Sequence, residues 1–190
     1  YSGIGKTSLV STAEATLVAG GATFVSGKFD QFNRATPYDS LIQAMRELIR
    51  KKLAPGGAAR DGGALAGPSG SALIAVIPEL EQLIGAQPPL EEVSPAESRN
   101  RFQVAIERLV STLATREHPL VFFFDDLQWA DLASIDLITS LATDPESRHV
   151  LFVGAYRDNE VDAAHPLTAA LERLESTGAS MDRLALGPLS

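Results

Sequence analysis

Residues 119–126 read PLVFFFDD, five consecutive large apolar residues running straight into two carboxylates. A strand alternates its side chains between two faces, so a run with no polar alternation cannot leave either face in water. It predicts a central parallel strand with helices packed on both sides. Asp125 and Asp126 then fall at the carboxyl end of that strand, where open α/β sheets place their ligands. Taken alone, an Asp-Asp pair can be no more than a capped strand end. Its meaning depends on what the rest of the chain brings to it.

The first ten residues, YSGIGKTSLV, bring a phosphate-binding loop. Gly3, Gly5, Lys6 and Thr7 match the closing half of G-x-x-x-x-G-K-[ST], whose first glycine would fall one position ahead of Tyr1. Glycines let successive backbone N–H groups turn inward around an anion, and the helix that follows points its positive end at the same place. Ser2, Gly3, Ile4, Gly5, Lys6, Thr7 and Ser8 are therefore the candidate nucleotide contacts. Lys6 is expected to reach the β- and γ-phosphates, and the Thr7 hydroxyl to ligate Mg²⁺. Gly-Lys-Thr also occurs in ordinary turns, but here the run opens an apolar helix. With it in place, Asp125 becomes the natural partner for Mg²⁺, directly or through water, and Asp126 the candidate for orienting or deprotonating an attacking water.

Along the chain, strand and helix patterns alternate. Residues 6–18 read as a helix with Leu9, Ala13, Leu17 and Val18 near helical spacing, and residues 23–29 as a strand. Pro37 suits the first position of a helix carrying Leu41, Met45, Leu48, Ile49 and Leu53. The glycine- and proline-rich stretch 55–70 reads as a surface excursion within one domain. Pro78 is expected to separate two short helices. Ser94, Pro95 and Glu97 form a helix start with a capping box, ahead of a stripe of Phe102, Ala105, Ile106, Leu109, Val110 and Leu113. Residues 148–156 read as another buried strand with Arg157 at its carboxyl end, placed either to sense a γ-phosphate or to pair with Asp158 or Glu160. A helix around 166–176 and a last strand over 182–186 complete the pattern of a doubly wound parallel sheet in three αβα layers.

Composition narrows the function. The 190 residues suit one domain, 1–190, and hold no run of membrane-spanning length. Cysteine is absent, which excludes disulfides and thiolate metal sites and suits a reducing cytoplasm. His118, His149 and His165 are scattered without ligand spacing. Sixteen basic against 24 acidic residues give a net charge of −8, which argues against a nucleic-acid partner.

The segments SGIGKTSLV, GKFDQFNRATPYDSLIQAMRELI, VIPELEQLIG, SPAESRNRF, HPLVFFFDDLQWAD and LFVGAYRDNEV together resemble the AAA-type P-loop ATPase module of large bacterial multi-sensor signalling proteins, within the STAND class of signal-transduction NTPases. The resemblance implies a P-loop NTPase core binding ATP and Mg²⁺, with Lys6 and Thr7 as Walker-A residues, Asp125 and Asp126 as Walker B, and Arg157 as the sensor arginine. It also implies kinase-like, GAF, histidine-kinase or cyclase domains in the same parent chain. Trp129 and Asp131 match the pattern, with packing and helix capping as their physical roles. Relative to that family the chain is expected to be truncated at both ends, lacking the strand ahead of the P-loop and a helical lid beyond LALGPLS. The leading expectation is a slowly hydrolysing ATP switch. A nucleotide-gated scaffold, favoured by aspartate rather than glutamate at 126, and a small-molecule kinase are the alternatives.

Overall fold

The computed structural model describes residues 6–32, 36–54, 65 and 67–187. At its centre lies β2 (Leu120–Asp125), flanked by β1 (Thr23–Lys28) and β3 (Val150–Gly154) in a three-stranded sheet of order β1-β2-β3. Both pairings are parallel, with Lys28 level with Asp125 and Phe124 level with Gly154, so the three carboxyl ends lie side by side. Leu120 to Phe124 are all buried, as a strand covered on both faces requires.

The two faces are covered unequally. On one, Phe24, Val121 and Phe123 pack with Val10 and Leu17 of α1 (Lys6–Ala19). Leu9 and Val18, expected on the inner side of that helix, are 48% and 49% exposed instead, and Ala13 is exposed as well. The α1 face that meets the sheet is narrow, and its inward residues are Val10 and Leu17. On the other, Val25, Leu120, Phe122 and Phe124 belong to the main core. Phe122 stacks on Phe124 and Phe152, with ring centroids 6.1 and 5.4 Å apart. This core takes in α2 (Asp39–Leu53), α3 (Pro68–Ile74), α5 (Pro95–Leu113), α6 (Leu132–Thr143) and α7 (Pro166–Ser176), with the short α4 (Glu81–Ile84) packed at its margin. The α/β fold with a parallel sheet and flanking helices is the one the apolar run demanded.

Local chemistry sets the helix ends. Ser94 caps α5 by accepting the Glu97 N–H at 3.3 Å, and Pro95 takes the first turn. The Glu97 carboxylate does not close a capping box; it accepts from Arg101 at 2.7 Å, one turn along, a stronger charge-assisted contact. The α5 stripe from Phe102 to Leu113 is buried as its spacing requires. Helix α2 begins at Asp39 rather than at Pro37, because Tyr38 holds a left-handed φ of 66° that no helical residue adopts. Pro78 does separate two helices, opening a single 3₁₀ turn before α4.

Two expectations need correction. The stretch 55–70 is not all surface: Leu65 is wholly buried in the main core and α3 already starts at Pro68. A single leucine anchors an otherwise glycine-rich segment, of which 55–64 and 66 lie outside the described residues. Residues 182–186 form no strand, and Leu184 is 82% exposed. A strand needs a neighbour for its ladder of hydrogen bonds, and among the described residues none pairs with this segment or with the far edge of β3.

Gly27 lets α2 approach the end of β1. A Cβ there would lie 2.8 Å from the Ser40 carbonyl and 3.1 Å from the Phe124 ring, while the Ser40 hydroxyl donates to the Lys28 carbonyl at 2.7 Å. Because backbone on one side and a buried ring on the other cannot easily retreat, Gly27→Ala is expected to cost about 1–3 kcal/mol. Urea unfolding would show a lower midpoint at unchanged slope; an unchanged midpoint would mean that the contact yields freely.

Candidate functional site

The site is built where β2 stops. Asp125 is its last residue, and its Oδ1 accepts the Asp126 N–H at 2.9 Å, which bends the chain out of the sheet. Asp126 itself lies in the left-handed region at φ 55° and ψ 43°. That conformation costs most L-residues roughly 1–2 kcal/mol, and Asp is among the few that visit it readily. The turn continues as one 3₁₀ turn, Leu127–Trp129. The Leu127 N–H donates to the Ala155 carbonyl at 2.9 Å, so the link between β2 and β3 persists past their ends. Gly154 makes room for this: a Cβ there would lie 2.5 Å from Leu127 Cδ1. Asp131 then caps α6, accepting from the Ser134 N–H at 2.9 Å and hydroxyl at 2.6 Å.

Around the two carboxylates stand three cations. Lys6, the first residue of α1, brings Nζ to 3.9 Å from Asp125 Oδ1. Lys28, at the end of β1, lies 3.8 Å from Asp126 Oδ2. Arg157, three residues beyond β3, places Nε 3.8 Å from Asp126 Oδ1 and donates through Nη1 to Glu160 at 2.9 Å. The local pairing expected of Arg157 is made with Glu160, and the same side chain also stands beside Asp126. Gln128 joins these groups, its Nε2 donating to Asp126 Oδ1 at 3.1 Å and its Oε1 accepting the Arg157 N–H at 3.3 Å. Contacts near 4 Å between partly exposed ions contribute little to stability. What they do is interleave three cations with Asp125, Asp126 and Glu160 at one end of the sheet.

The structure therefore brings Lys6, Asp125, Asp126 and Arg157 to one sheet edge. Thr7 and Ser8 follow Lys6 in the first turn of α1, Ser8 being exposed. Ser2, Gly3, Ile4 and Gly5 lie outside the described residues. Sequence reasoning missed Lys28 and Gln128. The first is foreseeable, since parallel strands in register put the ends of β1 and β2 together. Gln128 carried a weaker signal, one amide between Leu127 and Trp129.

A polar cleft of about 160 Å³ adjoins the site on the β1 side, between Lys28, Asp30, Asp39, Gln43, Trp129 and Asp131. Of the charged groups above it takes in only Lys28. Close by, burial pushes the Tyr38 phenol above its usual value; Arg99 opposes this, while Asp131 and Asp136 add to it, so the hydroxyl stays neutral.

Comparison with known proteins agrees with this geometry. A hybrid signal transduction histidine kinase, G, of Dictyostelium discoideum is 36% identical over 148 residues, which is 74% of this chain and 4% of that protein. No solved structure matches significantly. No described helix is long and apolar enough to cross a membrane. The model of the AAA ATPase domain matches residues 1–153, well over half of the sequence, and the chain belongs to that family.

Proposed function

We propose that this AAA domain is an ATP-binding, slowly hydrolysing switch of the STAND class, acting within a larger cytoplasmic signalling protein. The observation that carries the reading is the approach of Lys6, at the head of α1, to within 3.9 Å of Asp125 at the end of the central strand, with Asp126 and Arg157 beside them. A helix N-terminus with its lysine attracts phosphate. Carboxylates at the strand end serve a metal and a water. The signalling context rests on the histidine-kinase relative, of which this chain spans only 4%. Kinase-like, GAF, histidine-kinase or cyclase domains are the output partners this reading implies.

The donor set suits Mg²⁺. That ion takes one or two protein oxygens and fills its shell with phosphate and water. Asp125 is 27% exposed, and Thr7 follows the lysine that faces it. Bound there, Mg²⁺ would draw charge from the β- and γ-phosphates. The chain's own groups do the rest. Lys6 offsets phosphate charge, Asp126 orients or deprotonates the attacking water, and Arg157 distinguishes the triphosphate from the diphosphate.

A second reading, a scaffold that binds ATP without useful turnover, draws on one observation. Both Asp126 oxygens already face other groups, Gln128 and Arg157 on one side and Lys28 on the other. A carboxylate so engaged must be released before it can serve a water.

Lys6→Ala is expected to weaken Mg-nucleotide binding by about 1.5–3 kcal/mol or more, the worth of a charge-assisted contact. Isothermal titration measures it, and unchanged affinity would remove the phosphate assignment. Asp125→Asn should weaken Mg²⁺-dependent binding, whereas Asp126→Asn should keep binding and lower turnover ~10²–10⁴-fold. Normal hydrolysis by both variants would refute these roles; tight binding with negligible turnover already in the wild type would favour the scaffold. Arg157→Ala should narrow the preference for ATP over ADP, and equal loss for both nucleotides would make the arginine purely structural.

A further inference from the structure

We infer that Gln128 is a positioning residue that holds Asp126 and Arg157 as one unit and ties both to the head of α7. The inference deepens the switch reading above and rests on it. Gln128 is 1% exposed. A buried amide is costly unless its polar atoms are bonded, and an apolar side chain of the same size would fill the space without that cost. The amide is explained by what it joins.

Its orientation follows from its neighbours. An ionised carboxylate only accepts and a backbone N–H only donates. The amide nitrogen must therefore face Asp126 Oδ1, at 3.1 Å, and its oxygen the Arg157 N–H, at 3.3 Å. A flip would break both contacts at once. The same residue's backbone carbonyl meets His165 Nε2 at 3.2 Å, while His165 Nδ1 accepts the Leu167 N–H at 3.1 Å and caps α7. That second bond leaves the ring proton on Nε2, so His165 donates to Gln128. One buried residue thus touches the acid beside the γ-phosphate position, the backbone of the sensing arginine and the first turn of a helix.

The consequence is mechanical. A displacement of the Arg157 main chain, when its guanidinium is drawn toward or released from a γ-phosphate, acts on the Gln128 oxygen that accepts its N–H, and through the same amide on Asp126. It also bears on His165 and hence on α7, whose Leu167 and Ala170 sit in the main core and whose Arg173 pairs with Asp136 of α6 at 3.2 Å. Sensing and water activation become one event, read out by a helix on the far side of the turn.

The test uses the whole chain with Mg-ATP and Mg-ADP as probes. Gln128→Met keeps the volume and removes both side-chain contacts. It should lower kcat roughly 10–100-fold, as loss of a supporting contact around a reactive group does, with the KM for ATP changed by less than about threefold. The ratio of ATP to ADP affinity should narrow as well, and that readout serves even where turnover is slow. His165→Asn keeps a capping oxygen for Leu167 but loses the reach to the Gln128 carbonyl. It should lower kcat in the same direction by a smaller factor, and it covers the case in which Gln128→Met does not fold. A wild type that neither binds nor hydrolyses ATP overturns the switch reading and this inference together. An active wild type with unaltered kcat and affinity ratio in folded Gln128→Met, or in His165→Asn where the first is unfolded, overturns the inference alone.

Discussion

Burial of β2 on both faces is the constraint from which the rest of the structure follows. Each of its three phenylalanines is worth about 1.5–3 kcal/mol when fully buried, but only if helices cover the sheet on both sides. Parallel neighbours joined by helical crossovers meet that requirement, and β1 and β3 are such neighbours. Parallel strands in register end together, so the first polar residues past the apolar run meet at one edge. The demand for a dry strand is therefore what gathers Lys28, Asp125, Asp126 and Arg157. No separate device is needed to assemble them.

At that edge opposite charges are interleaved, with Lys6, Lys28 and Arg157 set among Asp125, Asp126 and Glu160. Each carboxylate has at least one cation near 4 Å, and Asp126 has two. Partly exposed pairs at that distance exchange partners at small cost. Under the proposed function, a polyphosphate arriving among Lys6, Lys28 and Arg157 would compete for the same cations and free the acids in doing so. This is the arrangement the proposed switch would need, because a change of partner is also a change of shape.

Most of the fold was legible, and the reasons differ by element. β2 carries an unbroken apolar run and α5 a helical stripe, and both are buried as their patterns required. The capping role of Ser94 was legible because it is local. The fate of the Glu97 carboxylate was not, because Arg101 competes for it from the next turn. α1 misled because Leu9 and Val18 satisfy helical spacing while the face that meets the sheet is set by the tertiary contact of Val10 and Leu17. Leu65 was hidden among glycines, and the segment 182–186 has strand composition but pairs with no strand among the described residues. At the site, Asp125, Asp126 and Arg157 meet because parallel strands end together, and Lys6 reaches Asp125 from the head of α1. Gln128 lay inside a matched segment without a role, since that role lies in contacts that exist only after the turn has formed.

That turn also accounts for aspartate, rather than glutamate, at position 126. Its backbone is left-handed, with φ 55°, a region that Asp and Asn enter far more readily than longer side chains because a short polar group can bond locally. Here the local bond is to Gln128, two residues on, at 3.1 Å. A glutamate would meet a steeper backbone cost, and its carboxylate would project beyond that amide. The shorter acid therefore comes with the geometry that ties it to Arg157, and the reach it lacks toward a water is the other face of the same constraint. Under the proposed switch function, a tethered acid and slow chemistry would belong to one design.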